Sequence, residues 1–147
     1  MSKTQALALK VAALLWLVWG VVHFVAGIAT ISVDATSGFQ GIAAAVNPDE
    51  LVADYHPAVE AILNQHGWNL LWAGAATIVG AVFIWRGSTT AIWVTAMVGG
   101  LFDIGYFVFV DLGGFGTFFP GTSMTFVSGG AIILSFWVWY SLPKSQD

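Results

Sequence analysis

Between Lys10 and Asp34 the sequence carries no charged residue, and the same holds from Glu60 to Arg86 and from Asp111 to Lys144. Between Arg86 and Asp111 only Asp103 interrupts the neutral run. A bilayer core of about 30 Å is crossed by roughly 20 apolar residues of helix, and each stretch reaches that length. Runs such as Val11–Trp19 show none of the alternation a β-barrel strand needs. The expected architecture is all-α: a single membrane domain, an antiparallel up-down four-helix bundle. Spans fall near 8–33, 57–85, 90–110 and 121–142, with a long outer loop over 34–56. Span 1 is longer than the hydrophobic part of a signal peptide, so we expect it to stay in the protein.

Composition agrees. Of 147 residues, 58% are hydrophobic and 8% are charged, with four Lys+Arg against eight Asp+Glu. So few charges cannot clothe a soluble surface, and four cations cannot track a phosphate backbone, which excludes a nucleic-acid partner. No cysteine is present, so disulfides, thiolate metal sites and Cys nucleophiles are excluded.

The charges also orient the chain. Lys3 and Lys10 precede span 1, Arg86 separates spans 2 and 3, and Lys144 follows span 4. An up-down bundle puts all four on one side, which the positive-inside rule assigns to the cytoplasm. Both termini are then expected inside a bacterial-type inner or plasma membrane. Asp34, Asp49, Glu50, Asp54, Glu60 and Asp111 fall outside. Trp16, Trp19, Trp85, Trp93, Trp137 and Trp139 lie toward inner span ends, as an interfacial belt would. Trp68 and Trp72 do not.

The inner loop at Arg86–Thr90 is minimal, so spans 2 and 3 should be antiparallel neighbours. In the long outer loop, Asn47-Pro48-Asp49-Glu50 reads as a helix start, predicting a short helix to about Tyr55. Upstream, Phe39, Ile42, Ala43 and Val46 share a helical face suited to the membrane interface. His56-Pro57 opens span 2, with Glu60 in its first turn, where the helix dipole favours an anion. The second outer loop, Asp111–Gly121, is rich in Gly and Phe. It reads as a tight turn with aromatics in the headgroup region, or as an apolar lid.

An ionisable group inside a span costs about 2.5–3.5 kcal/mol on insertion scales, so each needs a partner or a role. At the α-helical rise, His23 lies about 15 Å from the outer end of span 1, His66 about 13 Å from Pro57, and Asp103 about 12 Å from Asp111. Three helices thus bring ionisable groups to one level in the outer half of the bilayer. Glu60, Asn64, Trp68 and Trp72 form one ridge of span 2, and His66, Asn69 and Ala73 another. On span 3, Asp103, Tyr106, Phe107 and Val110 share a face, with Gly99 and Gly100 below them allowing close helix approach.

The expected site therefore has His66, Asp103 and His23 as its acid–base or catalytic groups. Glu60, Asn64, Trp68, Asn69, Trp72 and Tyr106 would contact a ligand. Two imidazoles and two carboxylates could instead bind a divalent metal through His23, His66, Asp103 and Glu60, although no metal-ligand spacing such as H-x-x-H occurs. Haem between His23 and His66 is a further reading, with Gly20, Gly27 and Gly67 as small residues facing a porphyrin. The competing interpretation is structural: Asp103 pairs with a His to fix packing, the Trp residues pack, and the Asn residues join helices.

The functional class that follows is a membrane-embedded site. It binds a small ligand or metal ion and performs acid–base or metal-assisted chemistry on an apolar, lipid-like substrate. A small channel or transporter working as a homo-oligomer is the first alternative. An accessory subunit of a larger membrane complex is the second.

Overall fold

The computed structural model describes residues 1–42, 49, 51 and 54–142. Helix α1 spans Lys3–Ile31, the short α2 Ala35–Gly41, α3 Pro57–Trp85, α4 Thr89–Tyr106 and α5 Ser123–Ser141. A π-helical turn, Phe107–Asp111, extends α4, and another, Phe118–Thr122, leads into α5. Four of these helical segments are long and apolar enough to cross a membrane. The expected bundle is present, and its spans match the charge-free stretches.

The ends are cut by local chemistry. Ser2 and Gln5 form a capping box on α1. The Asp34 carboxylate caps α2 by accepting from the Ser37 amide at 3.0 Å and the Ser37 hydroxyl at 3.1 Å. Those bonds hold the exposed Asp34 carboxyl below its ordinary pKa. Helix α3 has Pro57 in its first turn, where its missing N–H costs nothing. Gly87 sits at φ 86° in the turn between α3 and α4, a conformation that favours glycine.

The helices form a closed ring in which α1 packs on α3, α3 on α4, α4 on α5 and α5 on α1. Helix α1 carries most of the packing against α3, and glycine is the reason. A Cβ on Gly27 would lie 2.5 Å from the Leu71 amide nitrogen and 2.6 Å from the Gly67 carbonyl oxygen. A Cβ on Gly74 would lie 2.5 Å from the Phe24 nitrogen and 2.6 Å from the Gly20 carbonyl oxygen. Gly20 and Gly27 on α1 therefore mesh with Gly67 and Gly74 on α3, backbone against backbone. Without a hydrophobic force between helices in lipid, such close van der Waals contact is what joins them. These glycines are occupied by helix packing, which removes the small-residue argument for a porphyrin beside Gly20, Gly27 and Gly67.

Large apolar side chains point outward instead: Leu14, Val21, Ile28, Val79, Met97, Leu101 and Ile133 are all exposed on the bundle surface. That distribution suits lipid. The tryptophans divide. Trp85, Trp93 and Trp137 are exposed at the end of the bundle that carries Lys10 and Arg86, and the Lys10 ammonium lies 5.3 Å above the Trp85 ring. Trp16 and Trp19 are fully buried, so they belong to the core and not to an interfacial belt. Trp16 fits because Gly99 faces its ring, leaving no room for a Cβ.

Among loop expectations, the predicted helix start at Asn47-Pro48 and the face positions Ala43 and Val46 lie outside the described residues. Upstream, α2 exists, and its Phe39 packs on Tyr55 with ring centroids 5.4 Å apart. In the second outer loop, Phe115, Phe118 and Phe119 point outward. The Thr122 hydroxyl donates to Asp111 at 2.7 Å, tying the loop's two ends together.

Candidate functional site

Asp103 is the most buried acid of the described residues, at 5% exposure. Its Oδ2 accepts a hydrogen bond from Trp19 Nε1 at 2.8 Å, across from α4 to α1. Its Oδ1 faces His23 Nε2 at 4.0 Å. Ser128 approaches the same carboxylate from α5. The glycines below make this convergence feasible, because Trp16 seats on Gly99 and brings α1 against α4.

One turn separates Trp19 from His23 on α1, so the two rings stack, with centroids 3.6 Å apart and planes 17° from parallel. The His23 Nδ1 lies 2.8 Å from the Trp19 carbonyl oxygen. A carbonyl can only accept, so Nδ1 carries the proton. In neutral His23 the remaining nitrogen, Nε2, therefore presents a lone pair to Asp103. Stack and hydrogen bond together fix both the ring plane and its tautomer.

This pair forms part of the wall of a cavity of about 590 Å³ between α1, α3, α4 and the start of α5, with Phe39 and Ile42 from the α2 segment at its rim. That volume lies within the range of small-molecule sites. Most of the lining is apolar, including Val22, Leu63, Leu70 and Phe102. The polar lining is His23, Gln65, His66, Asp103 and Tyr106. Among the described residues the Tyr106 hydroxyl has no hydrogen-bond partner. It lies against Gly121, whose lack of a side chain makes room for it.

The three ionisable residues expected at one depth, His23, His66 and Asp103, do meet on one cavity, and Tyr106 joins them. The remaining expectations diverge. Glu60, Asn64, Trp68, Asn69 and Trp72 do not line the cavity. Glu60 is exposed near the start of α3. Trp68 and Trp72 are 58% and 42% exposed, and Trp72 Nε1 donates to Asn69 Oδ1 at 3.1 Å on the outer surface. Asn64 is half-buried, with its carbonyl oxygen unpaired. The face of α3 turned to the cavity instead carries Val59, Ile62, Leu63, His66 and Leu70.

The metal expectation on His23, His66, Asp103 and Glu60 finds no support in this geometry. Among the described residues no group of three or more His, Cys, Asp or Glu is placed to hold a metal ion. Glu60 is turned outward, and His23 Nδ1 is spent on a backbone carbonyl. Sequence reasoning missed Trp19, read there as an interfacial tryptophan. Its one available signal was the i, i+4 spacing to His23, which places both on one face of α1. Comparison of the chain with known protein families, with characterised proteins and with solved structures returns no match.

Proposed function

We propose that this chain is an integral membrane protein that binds a small, largely apolar molecule in the cavity between α1, α3 and α4, with His23 and Asp103 as its polar anchor. The carrying observation is the coincidence of an apolar cavity of about 590 Å³ with a buried carboxylate and a tautomer-fixed imidazole on its wall. A chain that bears so few buried charges has placed two of its ionisable groups there, at a cost that membrane insertion makes appreciable. The orphan Tyr106 hydroxyl supports the same reading, because a buried hydroxyl without a partner needs something to bond. His23 Nε2 is the ring nitrogen free to exchange a proton, so the pair is also equipped for acid–base chemistry on a bound molecule.

Gly105 provides a clean test. It lines the cavity, and a Cβ there would meet nothing within 4 Å. Gly105→Leu should therefore fill part of the cavity while keeping, or slightly raising, thermal stability, since leucine is the better helix former. The purified wild type is expected to release a small molecule on solvent extraction that is absent from Gly105→Leu. An identical extract from both proteins, each well folded, would count against the proposal.

The proposed orientation puts both termini in the cytoplasm and the cavity in the outer half of the bilayer. Lys3, Lys10 and Arg86 all lie at the bundle end away from Asp34 and Asp111, which supports it. The absence of cysteine allows single-site reporters. In intact cells an impermeant maleimide should label Leu112→Cys, and should reach Thr4→Cys only after permeabilisation. The reverse pattern would invert the topology.

A further inference from the structure

The carboxylate and the imidazole face each other as two acceptors. Trp19 Nε1 donates to Asp103 Oδ2 at 2.8 Å, Ser128 approaches the carboxylate from α5, and Oδ1 faces His23. His23 Nδ1 is committed to the Trp19 carbonyl, which leaves Nε2 as a lone pair. The gap between Nε2 and Oδ1 is 4.0 Å. That exceeds a hydrogen bond of about 2.8–3.0 Å, so neither atom satisfies the other directly. It is also less than two such bonds end to end, so one oxygen or nitrogen atom can sit within reach of both. Among the described residues no lysine or arginine lines this cavity to neutralise the carboxylate.

We infer that the cavity is selective for an apolar ligand whose polar head is a hydrogen-bond donor, a hydroxyl or an amine, seated in the gap between His23 Nε2 and Asp103 Oδ1. The inference rests on the ligand-binding reading above and specifies its chemistry. An ether, ester or ketone of the same shape would bring a third acceptor against His23 Nε2 and Asp103 Oδ1 and gain no hydrogen bond from either, a desolvation cost with no return there. An amine carries enough N–H donors to bond both acceptors, and a hydroxyl donates its one hydrogen to one of them, a bond that an ether, ester or ketone lacks. The apolar walls at Val22, Leu63, Leu70 and Phe102 then take the hydrocarbon part.

The test uses two probes that differ only in the head: 4-butylphenol and its methyl ether, 4-butylanisole. Each is titrated into the full-length protein in lipid nanodiscs, with empty nanodiscs subtracted to remove partitioning. The wild type is expected to bind the phenol about tenfold tighter than the ether or better. Asp103→Asn should bring that ratio to about one. Its amide oxygen would stay on Trp19 Nε1, turning the NH₂ toward His23 Nε2 and closing the gap. His23→Phe keeps an aromatic ring against Trp19, removes Nε2 and should also narrow the ratio, which covers the case in which Asp103→Asn does not fold. Equal binding of both probes to wild type would overturn the donor inference and leave the cavity reading intact. So would a phenol preference that survives in both variants. Binding of neither probe would overturn both.

Discussion

Gly27→Leu and Gly74→Leu are expected to leave no stable bundle. A side chain at either position meets backbone, not a side chain that can turn away: the Leu71 nitrogen and Gly67 oxygen for Gly27, the Phe24 nitrogen and Gly20 oxygen for Gly74. Relief requires α1 and α3 to separate along their main contact. Overpacking a well-filled core typically costs about 1–3 kcal/mol, and a clash against two backbones belongs at or above the top of that range. Against a total stability of about 5–15 kcal/mol, such a loss lowers the unfolding midpoint steeply. Gly129→Ala is the control, since a Cβ there meets nothing within 4 Å. Thermal unfolding in nanodiscs should separate the variants clearly. If Gly27→Leu melts with Gly129→Ala, the close glycine contact between α1 and α3 is wrong.

The second large effect is expected at Trp19. Trp19→Phe keeps most of the ring volume and the stack with His23 but removes the Nε1 donor. Asp103 Oδ2 is then left without its 2.8 Å partner in a site only 5% exposed. A buried acceptor stripped of its donor costs about 1–3 kcal/mol, more when it is charged. The same change frees the carboxylate to rotate, so the gap to His23 loses its fixed width, and phenol binding should weaken in parallel with stability. A double-mutant cycle isolates the interaction. In an Asp103→Leu background no carboxylate remains to be stranded, and Trp19→Phe should cost little beyond its lost volume. Equal costs in both backgrounds would show that the Trp19–Asp103 bond contributes nothing.

What could be read from the chain, and what could not, follows from geometry. Depth along a span is a linear quantity, marked by the charges at its ends, and it puts His23, His66 and Asp103 at one level; all three line one cavity. Rotation about a helix axis is different. A span that is apolar on every side gives no hydrophobic stripe to say which face turns inward. The i+4 spacing of Glu60, Asn64, Trp68 and Trp72 suggests an inward ridge. Polarity does not fix that face, however: Trp68 and Trp72, in the middle of α3, are exposed on the outside of the bundle. The inverse holds for Trp19, which its position suggests for the interface but which is fully buried against His23 and Phe102. The meshing of Gly20 and Gly27 with Gly67 and Gly74 was legible only in part. Each pair repeats at seven residues, but which helix each pair faces is decided by tertiary packing.

The central claim is that His23 and Asp103 anchor a ligand in this cavity, and imidazole nitrogens report on that directly. The chain has three histidines, so ¹⁵N-histidine labelling gives a small set of ring signals, and His23→Phe identifies the one of interest. In the free protein His23 should appear as the Nδ1–H tautomer. Titration with 4-butylphenol in nanodiscs should shift its Nε2 resonance saturably by several ppm and leave Nδ1 protonated. A saturable binding isotherm with no change at His23 Nε2, or a His23 protonated at Nε2 and bare at Nδ1, would contradict the account.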